Sequence, residues 1–256
     1  MESLKDLVAD CRDADGTVIE TPARTAPYTY DDFVPNVWKS GNLLGHYGVH
    51  PGAAVTVLAG PKEADADEQN RRADAADPVC AAIGATLVGA TVELDVTEPV
   101  ESRAMVLPAG WTDRYDLTPQ CTQIAYGGPP EKPDVVHFEQ EMWSENPIEP
   151  PERVAADDPA LRDAESTYSH GDLLSIATEV VDEHSLDADR RVVLDAPLVE
   201  VGAMVPVLAT LVAEATLELR QEAGETDADL VVTEESTEKT VGVSDLTARL
   251  RDTRRA

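Results

Sequence analysis

The chain is poor in aromatic residues, in lysine and in cysteine, and each shortage narrows what it can be. Phe, Trp and Tyr make up 4% of its 256 residues, and only two are Phe. Acidic chains short of aromatics often fail to bury enough apolar surface to offset the entropy of ordering. Leu, Val, Ile and Phe nevertheless total 58 residues, about 23%, above the roughly 20% that flags disorder. They fall in strand-like and helix-like blocks, so the chain is read as folded.

Three cysteines, Cys11, Cys80 and Cys121, are odd in number and none belongs to a C-x-x-C pair. That argues against a disulfide framework and a zinc knuckle, and for reduced thiols. No segment approaches 18 uninterrupted apolar residues, and the opening MESLKDLVADCRD has no basic region followed by an apolar run. A soluble cytoplasmic protein without membrane contact is the expectation. The motifs G-x-G-x-x-G, G-x-S-x-G and H-E-x-x-H are absent.

Against 20 basic residues stand 50 acidic ones, for a net charge of -30, and only five of the basic residues are Lys. Such a field repels nucleic acid and anionic membranes. Concentrated salt screens the mutual repulsion of carboxylates that keep a surface hydrated. Scarce Lys and Phe with abundant Ala, Val, Asp and Glu resemble cytoplasmic proteins of haloarchaea, so the charge is read as a mark of a high-salt cytoplasm.

What the chain does contain is an internal repeat. YTYDDFV (28–34) matches YSHGDLL (168–174), and GVHPGAAVTVLAG (48–60) matches SLDADRRVVLDAP (185–197). ATLVGATVEL (85–94) then matches ATLVAEATLEL (209–219), and SRAMVLPA (102–109) matches DADLVVTE (227–234). In each copy a hydroxyl residue stands three positions before an Asp, Thr29 with Asp32 and Ser169 with Asp172, the spacing of a helix capping box. Those helices are expected to run to about Tyr47 and His184. Val-rich strands follow at AVTVLAG and RRVVLDAP, second helices near 78–88 and 201–213, and further strands at ATVELD, ATLELR, RAMVLPA and ADLVVTE.

Helix, strand, helix, strand, strand, given twice, predicts an α/β fold of two pseudo-symmetric halves with mostly parallel sheets flanked by helices. The first half is expected over 1–146 and the second over 161–256, with a Pro-rich joint at 147–160. Residues 61–77, present only in the first copy, read as an exposed polar loop. Between the copies, strands are expected at Thr122–Tyr126 and Val135–Glu139, and a short helix closes the chain.

The stretches from Tyr28 to Gly60 and from Asp77 to Asp95 resemble the opening of AMP-forming acyl-CoA synthetases, the adenylate-forming superfamily. Gly48, Pro51 and Gly52 match its Gly-x-x-Pro-Gly turn, and Gly89 with Ala90 match its Gly-Ala dipeptide. The second copy is similar to that family's next subdomain, and the likeness covers roughly residues 18–233, the N-terminal region only. The resemblance implies a Thr/Ser/Gly-rich loop ending in Pro-Lys-Gly directly before Tyr168, to hold the phosphates of ATP. This chain reads DPALRDAES there, with no Gly and no Lys. The family's Tyr-Gly-x-Thr-Glu segment, its ribose-holding Gly-Asp and its C-terminal lid with a catalytic Lys are also without counterpart.

Two constellations remain as ligand-binding candidates. Tyr126, Gly127 and Gly128 follow a strand, where open α/β sheets bind ligands, although GGPP is equally a turn. Ser169, His170 and Asp172 hold the residue types of a triad, but triads draw on separated segments, so a helix start with a partly exposed His170 is the expectation. His137, Glu139 and Glu141 alternate on the expected strand as a solvated face. No residue is assigned a catalytic or metal-binding role.

The function expected is that of a degenerate, non-catalytic binding or interaction protein without a cofactor. Its partner would be an acyl or nucleotide small molecule, a second copy or a full-length homologue. The alternative is an acyl-activating ligase with a divergent site or one completed by a partner chain. ATP, AMP or CoA would belong only to that alternative.

Overall fold

A computed structural model describes residues 1–21, 25–62, 70–220 and 226–254. The first half of the chain gives α1 (Leu4–Asp10), β1 (Thr17–Glu20), β2 (Tyr28–Thr29), α2 (Tyr30–His46), β3 (Ala54–Val57), α3 (Asp77–Leu87), β4 (Thr91–Glu93), β5 (Ala104–Pro108), β6 (Thr122–Tyr126), β7 (Val136–His137) and α4 (Phe138–Ser144). The second half gives β8 (Pro159–Arg162), β9 (Thr167–Ser169), α5 (His170–His184), β10 (Arg191–Asp195), α6 (Met204–Val212), β11 (Thr216–Leu219), β12 (Leu230–Thr233), β13 (Val241–Gly242) and α7 (Val243–Thr253).

The strands form two sheets, ordered β7-β6-β5-β3-β4-β8-β9 and β13-β12-β10-β11-β1-β2. All pairings are parallel except the hairpins β1–β2 and β8–β9. The fold is therefore the α/β architecture that the repeat predicts, with β3, β4 and β5 matching β10, β11 and β12.

Sheet membership crosses the division of the sequence at 147–160. Hairpin β1–β2 precedes the first copy's helix, yet β1 pairs with β11, Ile19 opposite Leu217. Hairpin β8–β9 precedes the second copy's helix, yet β8 pairs with β4, Leu161 opposite Val92. Each half thus lends its leading hairpin to the other's sheet. The repeat unit begins about ten residues earlier than the sequence match at Tyr28 and Tyr168.

One apolar cluster runs through both sheets, including Val55, Val92 and Val106 of one and Val192, Leu217 and Val232 of the other. Every residue of α3 is buried, and so is all of α6 but Val212. A helix apolar on all sides belongs in an interior layer, and the runs PVCAAIGATL and MVPVLATLV have that composition. α3 meets α2 backbone to backbone at two glycines: a Cβ added to Gly84 would lie 2.7 Å from the Gly41 nitrogen.

Equivalent turns use different residues in the two copies. After α2 and α3 the chain takes left-handed turns at Gly48 (φ +84°) and Gly89 (φ +74°). The second copy makes them with Ser185 (φ 50°) and Glu214 (φ 55°). Glu214 stands where Gly89 stands in the first copy: Ala90 N–H bonds the Ala85 carbonyl after one, and Ala215 N–H the Thr210 carbonyl after the other.

Two expectations are corrected. The stretch 135–139 is a strand only at Val136–His137; Phe138, fully buried, begins α4, so Glu139 and Glu141 project from a helix. Residues 61–77 are not an exposed loop where described, since Arg71, Ala73, Ala75, Ala76 and Asp77 are buried; residues 63–69 lie outside the described residues. The physical reason is Arg71, which donates to the carbonyls of Ala59 (3.1 Å) and Leu94 (2.7 Å) and drags its segment over the ends of β3 and β4.

Candidate functional site

In open α/β sheets ligands bind outside the carboxyl ends of the strands, where the strand order turns back. Here that point lies between β3 and β5 in one sheet and between β10 and β12 in the other. At the first, Tyr126 is fully buried. Its hydroxyl lies 3.1 Å from the Leu58 carbonyl and 3.2 Å from that of Gly60, and it accepts the Gly60 N–H at 3.0 Å. Burial pushes its pKa well above the ordinary tyrosine value. Tyr126, a ligand-binding candidate in the sequence, braces the strand end with its hydroxyl engaged by Leu58 and Gly60.

Gly127 and Gly128 turn the chain after β6 with φ of +89° and +143°. The Gly127 N–H donates to Glu139 Oε1 at 2.7 Å, which is why Glu139 turns inward. Glu139 and Asp77 both face Lys62, at 3.5 and 2.7 Å, and His137 Nε2 lies 3.3 Å from the other Glu139 oxygen. Burial pulls the Lys62 pKa down, but the two carboxylates outweigh it and the net shift is upward. Beside this network a groove of about 410 Å³ opens between α2 and α4, with Tyr28, Met142 and Trp143 in its lining. Trp143 is 85% exposed and nearby Ile148 61%.

Ser169 and His170 stand elsewhere. β9 is antiparallel to β8, with Pro159 opposite Ser169, so both residues sit at the amino end of the sheet, with four strands between β9 and the β6 of Tyr126. Ser169 Oγ accepts the Asp172 N–H at 3.1 Å and Asp172 accepts the Ser169 N–H at 2.9 Å. In the first copy Thr29 Oγ1 accepts the Asp32 N–H at 3.2 Å. His170 is not partly exposed but fully buried, because α1 packs over it: the Leu4 N–H donates to Nδ1 at 3.2 Å, and Nε2 has no hydrogen-bond partner among the described residues. Burial lowers the His170 pKa to about 4. Its neighbours Asp158 and Asp6 pull the other way without prevailing.

The carboxyl-end feature that sequence reasoning left without geometry is the turn joining β8 to β9. Asp163 N–H donates to the Ser166 carbonyl at 2.9 Å, closing it tightly. Asp163 Oδ1 accepts the N–H groups of Glu165 (2.8 Å) and Ser166 (2.7 Å), and Oδ2 accepts from Tyr168 (3.0 Å) and Arg251 (3.2 Å). Burial raises the Asp163 pKa, yet these donors together hold it below the usual carboxylate value. Arg251 also pairs with Glu165 at 3.0 Å. A crevice of about 290 Å³ lies between this turn, the segment after β4, residues 199–201 and α7. Among the described residues no group of three or more His, Cys, Asp or Glu is placed to hold a metal ion. No described helix is long and apolar enough to cross a membrane.

No family model matches the sequence, and no curated protein does. Solved structures match the fold closely. MatB from Rhodopseudomonas palustris superposes with a TM-score of 0.69 at 15% identity, over 90% of this chain and 49% of its own. A benzoate CoA ligase from Burkholderia xenovorans gives 0.68 at 16%, over 91% and 50%. The N-terminal domain of FACL13 from Mycobacterium tuberculosis gives 0.65 at 14%, over 88% and 58%. The chain has the fold of the N-terminal regions of AMP-forming acyl-CoA synthetases. It spans about half the length of the structures it matches.

Proposed function

We propose that this chain is a non-catalytic binding or interaction protein that keeps the two-sheet core of the acyl-CoA synthetases and has given up ATP chemistry. The observation that carries the reading is Asp163. A phosphate-holding loop works by offering free backbone N–H groups and positive charge to an anion. In the turn before Tyr168 the N–H groups of Glu165 and Ser166 are already taken by the chain's own carboxylate, and the nearby cation, Arg251, is taken by Asp163 and Glu165. A triphosphate would meet two acidic side chains and filled donors.

The exposed Trp143 beside the groove between α2 and α4 supports an interaction role, since large exposed aromatics are enriched where proteins meet partners. The partner is an acyl or nucleotide compound, a second copy or a full-length homologue. The test is ATP–pyrophosphate exchange with a panel of short-chain acids in molar KCl. No exchange above a no-enzyme control is expected; robust exchange overturns the reading in favour of an acyl-activating ligase.

A further inference from the structure

α1 lies on the seam between the two halves of the chain. It buries Leu4, Leu7 and Val8 and packs against α2 and α3 of the first half and α6 of the second. Lys5 donates to the carbonyls of Pro150 and Glu152 in the Pro-rich joint, and the Cys11 thiol just after α1 donates to the Leu211 carbonyl at 3.4 Å. Since α3 and α6 are the interior helices, apolar on all sides, lifting α1 uncovers apolar surface of both halves.

The contact at the start of α1 is one that a proton breaks. His170 Nδ1 accepts the Leu4 N–H, so that nitrogen carries no hydrogen and the ring proton sits on Nε2. A second proton must go to Nδ1, and two N–H groups then face each other under the first turn of α1. The ring is fully buried, and at the first position of α5 the helix dipole opposes positive charge. Asp6 and Asp158 attract an imidazolium, but their oxygens are committed to their own turns. Asp6, with the Met1 ammonium near it, accepts the Glu2 and Ser3 N–H groups; Asp158, ahead of β8, accepts that of Ala155; Asp172 of α5 accepts that of Ser169. Water reaches the charged ring only when α1 moves away.

We propose that α1 is a latch released by protonation of His170, which uncovers α3 and α6 while both sheets stay folded. The latch is independent of whether the chain has kept ATP chemistry. With α1 lifted the ring titrates near the ordinary 6.5, and with α1 docked only at about 4, so acid favours the lifted state. Its share should grow about 50-fold from pH 7 to pH 4.5.

Hydrogen exchange in molar KCl tests this, with protection expressed relative to the unstructured chain at each pH. The amides of residues 7–10 report on α1, and β5 and β6 on the core. Protection of α1 is expected to fall about 50-fold between pH 7 and pH 4.5 and to stay well below that of the core. The fall should vanish in His170→Gln, whose side-chain oxygen keeps an acceptor for Leu4. Equal protection of α1 and core at pH 4.5 means that α1 leaves only with global unfolding, and overturns the proposal. An unchanged α1 in the wild type, or an equal fall in His170→Gln, overturns it too. Should His170→Gln not fold, the wild-type profile decides: a fall that begins near pH 6.5 is the imidazole's, and one confined to lower pH, where carboxylates titrate, refutes the latch.

Discussion

Tyr30 and His170 hold the same position in the two copies, the first residue of α2 and of α5, but bind across the seam differently. The Tyr30 hydroxyl donates to the Ala215 carbonyl at 2.9 Å, in the turn after α6. The shorter His170 reaches no such turn; α1 comes to it, through the Leu4 N–H on Nδ1. The N-terminal helix is thus docked on the residue where the pseudo-symmetry fails.

Acid stability follows from that contact. The folded-state pKa of His170, about 4, lies below its ordinary 6.5. The unfolded chain therefore takes up the proton first, and the penalty is absent above pH 6.5 and complete below pH 4. Across that window His170 removes stability as pH falls, up to about 3 kcal/mol. In denaturant titrations at pH 7 and 4.5 the wild type should lose more stability than His170→Gln, whose side-chain oxygen can still accept from Leu4. An equal loss in the two proteins refutes the assignment.

The two helix caps should not be worth the same. Ser169 and Asp172 exchange hydrogen bonds, whereas the Thr29 cap is exposed and runs one way. Ser169→Ala should cost about 1 kcal/mol and Thr29→Ala about 0.5 kcal/mol, read from chemical unfolding.

Glycines in and against α2 separate propensity from packing. Gly45 is exposed with open space where a Cβ would go, so Gly45→Ala should stabilise by about 0.5 kcal/mol. At Gly84 the same methyl would sit 2.8 Å from Ser40 Cβ and 2.7 Å from the Gly41 nitrogen. Overpacking of about 1–3 kcal/mol there outweighs the propensity gain, and Tm should fall.

Thiol chemistry should single out one cysteine. Cys11 and Cys80 are buried; burial pushes the Cys11 pKa to about 12 and that of Cys80 well above the ordinary thiol. Cys121 is partly accessible, and burial raises its pKa too. A disulfide reagent should therefore label the native protein at one site, slowly, with Cys121→Ser abolishing the reaction and denaturant exposing all three thiols.

Much of the fold was legible because helices and buried strands carry local patterns. Thr29-x-x-Asp32 and Ser169-x-x-Asp172 mark helix starts, and Val-rich runs mark β3 and β10. The exchanged hairpins were not legible, since two-residue strands such as Tyr28–Thr29 carry almost no periodicity and their pairing is set by contacts far away in sequence. His137-Phe138-Glu139 alternates like a strand, but burial of Phe138 and the Gly127 N–H waiting for Glu139 favour a helix. At the site, the want of Gly and Lys in LRDAE could be read directly, but Asp163 filling its own turn could not. The dipeptide Arg71-Arg72, in a segment otherwise rich in Ala and Asp, was the available signal for a link between the sheets, Arg71 to the Leu94 carbonyl and Arg72 to Asp195.

The lent hairpins also set an order of events during synthesis. When β8 and β9 leave the ribosome, β4 has already been made, so the first sheet can close at once. Among the described strands β1 comes first, and it must wait for β11 before its second hydrogen-bonding edge, the one that β2 leaves open, is covered. Until then Val18 and Ile19, both buried in the finished protein, stay open to competing partners. The first of the described strands is thus among the last to have both edges paired, and truncation before residue 219 should leave its open edge a template for aggregation.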